Sequence, residues 1–210
     1  MNELSYLIAE KLLEIEAIKL NFKEPYTWTS GIKSPIYCDN RKSLSNNEVR
    51  TVIKKAYVDK IKEKFTAVQV IAGVATGAIA QGALVADELG LPFVYVREKR
   101  KEHGLMKLVE GDIKPGQKTV VIEDLVSTGG SSIKAVNELR NEKADVLGMI
   151  SAFTYEFPSA LKLFDENNCK FYSLSSFSIL KKVAVEKGYL TDEEGVKLLE
   201  WHNNPQDFLW

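Results

Sequence analysis

"VVIEDLVSTGGSS", residues 120–132, starts as a buried strand and ends as something else. Val120, Val121 and Ile122 suit the interior of a sheet. Glu123 and Asp124 follow, and then Ser127, Thr128, Gly129, Gly130, Ser131 and Ser132. Glycines and small hydroxyl residues at a strand-to-helix turn leave backbone N–H groups facing outward, and the next helix presents its positive end. Together these make a seat for a phosphate dianion. The stretch is neither a G-x-x-x-x-G-K-[ST] loop nor a G-x-G-x-x-G turn. A tight turn with a serine-rich cap is the plainer reading. The two acids weigh against it, because unpaired carboxylates at a sheet edge have no packing purpose. Beside a phosphate they would repel it unless they faced sugar hydroxyls, a cationic transition state or a hydrated metal.

Outward from this stretch, apolar strands alternate with helical segments. Strand-like runs fall at 68–74, 92–97, 118–125, 145–153 and 170–174, with helical patterns at 78–89, 131–141 and 157–166. Continuous apolar strands separated by helices imply a parallel sheet covered on both faces. Upstream, Leu4, Leu7, Ile8, Leu12, Ile15 and Ile18 share a helical face, which predicts a helix over 3–19. Pro25, Gly31 and Pro35 punctuate two or three brief strands. Ser45 to Glu48 has capping-box spacing before a helix reaching about residue 64. Two helices are expected at the C-terminus, and Thr191 to Glu194 has the spacing to cap the second. The expected organisation is one domain over 1–210: a hood at about 20–45, a core at 46–185 and C-terminal helices at 186–210.

The 210 residues carry 28 basic and 29 acidic side chains, a formal charge of -1, which makes no electrostatic case for binding duplex nucleic acid. Cys38 and Cys169 have no C-x-x-C spacing and fit reduced thiols. "MNELSYLIAEKLLEI" lacks the form of a secretory signal. "VIAGVATGAIAQGALVA" is broken by Gly73, Gly77 and Gly82 and is too short to span a bilayer. A cytoplasmic protein with no membrane partner is expected.

In open parallel sheets, ligands bind beyond the carboxyl ends of the strands. Two more strand ends carry signals. Gly73, Ala75, Thr76 and Gly77 join a strand to a helix without bulk, and serve close packing or a pyrophosphate equally well. "YVREKRKEHGLMKLVEG" gathers Arg97, Lys99, Arg100, Lys101, His103 and Lys107, a cluster suited to a polyanion or to a solvated hairpin. "TWTSGIKSPIYCDNR" supplies Trp28, Ile36 and Tyr37, which could wall a flat heterocycle or form a satellite apolar cluster.

"VVIEDLVSTGGSS" resembles the phosphoribosyl-pyrophosphate (PRPP) motif of the type I phosphoribosyltransferases. "YVR…KEHG" resembles the catalytic loop of the orotate branch, and "SG-x-KSP" with its apolar pair resembles the flap of that branch. The resemblance runs from residue 20 to about 180. It implies a parallel sheet flanked by helices, with a small N-terminal hood. It implies transfer of ribose 5-phosphate from PRPP to orotate N1, giving orotidine 5′-phosphate and pyrophosphate, as in UMP biosynthesis. Asp124, Lys101 and His103 would be catalytic. PRPP would meet Arg97, Lys101, His103, Glu123, Asp124, Leu125, Val126, Ser127, Thr128, Gly129, Gly130 and Ser131. Orotate would meet Ser127, Lys33, Ile36 and Tyr37. Mg²⁺ is implied, held mainly through substrate without dedicated protein ligands. A homodimer is implied, with the 98–108 loop reaching into the neighbouring site. The chain departs from the family at Glu98, where relatives carry Lys. It departs again at Thr29 and Tyr155, where some carry Lys and Arg. The alternatives are transfer to another base, or a non-catalytic PRPP-sensing regulator.

Overall fold

The computed structural model describes residues 3–28, 31–99 and 107–210. Helix α1 (Glu3–Glu14) buries Ile8, Ala9, Leu12 and Leu13, the apolar face that the sequence predicts. It stops five residues short of the expected end. Glu16 turns back at a φ of 55°, with its N–H on the Leu13 carbonyl at 2.9 Å. Ile18 therefore enters a strand instead of the helix.

The hood follows as β1 (Ile18–Leu20), β2 (Tyr26–Thr27), β3 (Lys33–Ser34) and β4 (Ile36–Cys38). β1 pairs antiparallel with β4, and β2 with β3. A 3-10 turn over Asn40–Ser45 leads to α2 (Asn47–Lys64). The cap of α2 is Asn46, whose side chain accepts from the Val49 N–H at 3.0 Å. This corrects the Ser45 cap by one residue, because Ser45 is used up in the preceding turn.

The core continues through β5 (Val70–Val74), α3 (Ile79–Leu89), β6 (Phe93–Val96), β7 (Val109–Glu110), β8 (Lys118–Val126) and α4 (Gly130–Asn141). It closes with β9 (Asp145–Thr154), α5 (Pro158–Glu166), β10 (Phe171–Ser176), α6 (Phe177–Glu186) and α7 (Asp192–Asn203). Thr191 and Glu194 cap α7 reciprocally, as their spacing predicts.

Among the described residues, six strands form one sheet in the order β10-β9-β8-β5-β6-β7. All neighbours are parallel except β6 and β7, a hairpin that the apolar pattern does not announce. β8 lies inside the sheet, so its apolar run is buried on both faces. Val120 and Ile122 face the cluster with α1, α2, α3, α6 and α7, while Val121 faces the one with α4 and α5. Each such side chain contributes roughly 1.5–3 kcal/mol on burial. Because β5, β6, β8 and β9 run in the same direction, their carboxyl ends open onto a single edge beneath the hood. No helix among the described residues is long and apolar enough to cross a membrane.

Candidate active site

β8 delivers the two acids to this edge. Glu123 is buried, and its carboxyl accepts from Ser132 Oγ at 3.0 Å and from the Asp124 N–H at 3.1 Å. Its backbone carbonyl takes the Tyr57 hydroxyl at 2.6 Å. Asp124 is half-buried, and its carbonyl accepts from Asn40 Nδ2 at 2.6 Å. Asn40 and Tyr57 therefore pin the strand end from the hood side and from α2.

The two carboxyls lie within hydrogen-bonding reach of each other. Burial, and then the neighbouring Asp124 charge, push the Glu123 carboxyl well above the usual carboxylate range. Burial also raises Asp124, while its contact with Glu123 and the nearby Arg41 charge pull it back. Both carboxyls are raised, and burial favours the protonated form more strongly at the deeper Glu123 than at Asp124.

The turn expected from the sequence to seat a phosphate starts where β8 ends. Gly129 takes a φ of 80°, and no side chain caps α4. An α4 first turn without an acid or a side-chain cap offers its N–H groups to an anion. A Cβ at Gly129 would need a left-handed conformation and would press to 3.3 Å on the Phe164 ring. Across the edge, the turn joining β5 to α3 approaches Asp124. A Cβ at Gly77 would lie 2.0 Å from Asp124 Oδ2, so only glycine leaves the carboxylate in place. The Ala75–Thr76 peptide is cis.

Beside the seat is a cavity of about 430 Å³. Its hood wall is Thr27, Trp28, Ile32, Tyr37 and Cys38, and its core wall is Leu125, Ser127, Thr128 and Tyr155. The Trp28 and Tyr155 rings meet edge-on at 4.9 Å. Burial raises the Tyr155 hydroxyl and the Cys38 thiol well above their usual values. Both groups are therefore neutral donors at physiological pH.

The sequence-predicted residues are distributed unevenly. Leu125, Ser127, Thr128 and Tyr37 line the cavity. Val126 is buried beneath α4, and its carbonyl takes the Tyr155 N–H at 2.9 Å. Ser131 borders a small cleft with Ala75, Arg97, Glu98 and Lys134. Gly130 opens α4 with free space around it. The Arg97 guanidinium donates to Glu110 at 3.2 Å, across the base of the hairpin. Ile36 is fully buried, and its carbonyl accepts from Ser34 Oγ at 2.9 Å and from Trp28 Nε1 at 3.3 Å. Lys33 borders a separate cavity with Phe208 and Trp210. Lys101, His103 and Thr29 lie outside the described residues. Sequence reasoning assigned no role to Asn40, Tyr57, Ser132, Thr27, Ile32 or Cys38. The polar run "CDNR" was the only signal for Asn40, and Tyr57 reads as one more apolar position of α2.

The phosphoribosyl transferase domain family matches residues 41–186. An orotate phosphoribosyltransferase of Porphyromonas gingivalis is 52% identical over 206 residues, 98% of each chain. The chain belongs to the orotate phosphoribosyltransferases. A second member, from Listeria innocua serovar 6a, is 51% identical over 95% of each chain. The orotate phosphoribosyltransferase structure from Aeropyrum pernix superposes with a TM-score of 0.75 at 26% identity, over 87% of this chain and 99% of that one.

Proposed function

We propose that the chain transfers ribose 5-phosphate from PRPP to orotate N1, releasing pyrophosphate and orotidine 5′-phosphate. One observation carries the reading: Ser127 and Thr128 stand before the uncapped α4 N-terminus and also line the cavity. A ligand with its 5-phosphate on α4 would therefore place its ribose at Asp124 and its C1 toward the cavity, where a flat base fits between Trp28, Tyr37 and Tyr155.

In the reaction the C1–O bond to pyrophosphate breaks as N1 approaches, and positive charge develops on the ribosyl ring. Asp124 meets that charge and the ribose hydroxyls from a fixed position. The hood and the core wall align the base, so much of the rate comes from positioning. Glu123 keeps the proton of the acid pair and holds Ser132 in the first turn of α4. Lys101 and His103, with Arg97, would meet the departing pyrophosphate, and the 98–108 loop would serve the neighbouring subunit's site in a homodimer. The reduced thiols fit a cytoplasmic protein.

Magnesium suits the donor set. Among the described residues no three His, Cys, Asp or Glu side chains converge to form a dedicated metal cage, whereas Asp124 offers hard oxygen beside the substrate's own. When bound, the ion would neutralise charge on the pyrophosphate oxygens.

The test is pyrophosphate release from PRPP and Mg²⁺ with each base in turn. Orotate should turn over, while adenine, hypoxanthine and uracil should not. Turnover with one of those bases alone overturns the substrate, and tight PRPP binding without turnover points to a regulator. Lys101→Ala should cut kcat about 10²-fold or more with little change in orotate affinity. Mixing Lys101→Ala with Asp124→Asn protein should restore part of the activity if sites are shared. No recovery in verified mixed dimers refutes loop exchange.

A further inference from the structure

α7 lies behind the cavity and does not line it, yet two consecutive residues on it hold the cavity's two walls. Trp201 is fully buried. Its indole N–H donates to the Lys33 carbonyl at 2.9 Å, across 168 positions of sequence. Lys33 pairs with Thr27 in the β2–β3 ribbon, and Thr27, Trp28 and Ile32 form the hood wall. His202 Nε2 donates to the Tyr155 carbonyl at 2.5 Å. Tyr155 is on the core wall.

The rings around these two residues are packed to fix their directions. Trp201 meets Trp28 edge-on at 5.8 Å and Tyr155 at 6.3 Å. The His202 ring lies between Phe177 at 3.9 Å and Phe157 at 5.0 Å, nearly parallel to both. Phe157 in turn stacks on Tyr155 at 5.6 Å. A helix serving only to cover the core needs apolar contact alone. Two N–H donors aimed at backbone carbonyls, one on each wall, add a geometric constraint. A β2–β3 ribbon of two residues per strand has little pairing of its own to hold its place.

We propose that Trp201 and His202 are positioning residues for the base site. Through the Lys33 and Tyr155 carbonyls they set the spacing of the hood wall and the core wall, and so the tightness of the slot for a planar base. This inference rests on the cavity being the base site. The expected PRPP seat has further supports of its own in Tyr57, Asn40 and Ser132, and meets the base cavity through the Tyr155 N–H on the Val126 carbonyl. Loosening α7 should therefore act first on the base and less on PRPP.

The test uses Trp201→Phe and His202→Phe in the full chain. Each keeps an aromatic ring and removes the N–H donor. KM and calorimetric Kd for the base are measured alongside KM for PRPP, kcat and Tm. Each variant should raise the base KM and Kd about fivefold, the scale of one lost hydrogen bond, with PRPP KM and kcat held within about twofold. A lowered Tm with an unchanged base Kd makes both residues structural and overturns the proposal. An equal rise for both substrates overturns it too. If wild-type protein turns over a base other than orotate, the reading of function fails, and the comparison is made with that base. If no base turns over, Kd remains the readout.

Discussion

The two halves of the proposed active site are built in different ways. The proposed phosphate and ribose side comes mostly from one unbroken stretch, the end of β8 and the start of α4. Its parts are backbone amides, a left-handed glycine and adjacent acids. The base side is assembled from β2, β4 and the ends of β8 and β9, with α7 behind it. The first half depends on local backbone geometry and tolerates little change of residue type. The second depends on how distant elements are spaced, so it can change side chains while keeping its shape. Tyr155, which lines the cavity, belongs to that second half.

The most severe way to probe this contrast is Asp124→Asn. It keeps the size of the side chain and removes the charge that faces the ribosyl ring. Turnover should fall about 10³-fold while orotate Kd changes little. A loss in orotate affinity of the same size would mean that the halves are not separate.

Gly77→Ala should follow, at about 10²-fold in kcat/KM. The added methyl would sit 2.0 Å from Asp124 Oδ2, so the carboxylate or the β5–α3 turn must move. The substitution alters no charge and no hydrogen-bonding group. Near-normal activity would show that the Asp124 position is not what matters. A crystal structure of the variant would show which partner moved.

The same contrast explains what could be read from sequence. The strand end and the turn that opens α4 were legible because their geometry is local: "EDLVSTGGSS" names the acids, the left-handed glycine and the helix start. The parallel sheet was legible because strands buried on both faces read as apolar runs. Where local pattern and tertiary demand disagreed, the pattern failed. Residues 15–18 continue the apolar period of α1, yet Glu16 turns back so that Ile18 can pair with Cys38. β7 is two residues long and leaves no period to detect. Lys33 and Ile36 sit in a flap that does bound the cavity. However, successive residues of a strand face opposite sides, and neither Lys33 in β3 nor the buried Ile36 in β4 is among the cavity's lining. Trp201 and His202 were invisible because they act through carbonyls, which every sequence position has.

The mildest change tests the finest distinction, between the two acids themselves. Glu123→Gln preserves an acceptor for Ser132 Oγ, gives up the acceptor for the Asp124 N–H, and removes the ionisable group. Activity should stay within about threefold of wild type, since no charge facing the ribose is removed. Stability should respond more clearly. The folded carboxyl titrates above its unfolded value, so the native state favours the protonated form. That preference contributes fully below the unfolded value of about 4.3 and is lost as pH rises through the folded pKa. Glutamine cannot ionise and escapes the loss. The Tm difference between the variant and wild type should shift steadily in the variant's favour from pH 4 toward pH 8. A drop in turnover as deep as that of Asp124→Asn, with no divergence of Tm, would make Glu123 a second charged ligand of the ribose. The adjacent acids would then act as equals, and the division between an inner proton holder and an outer charge would be lost.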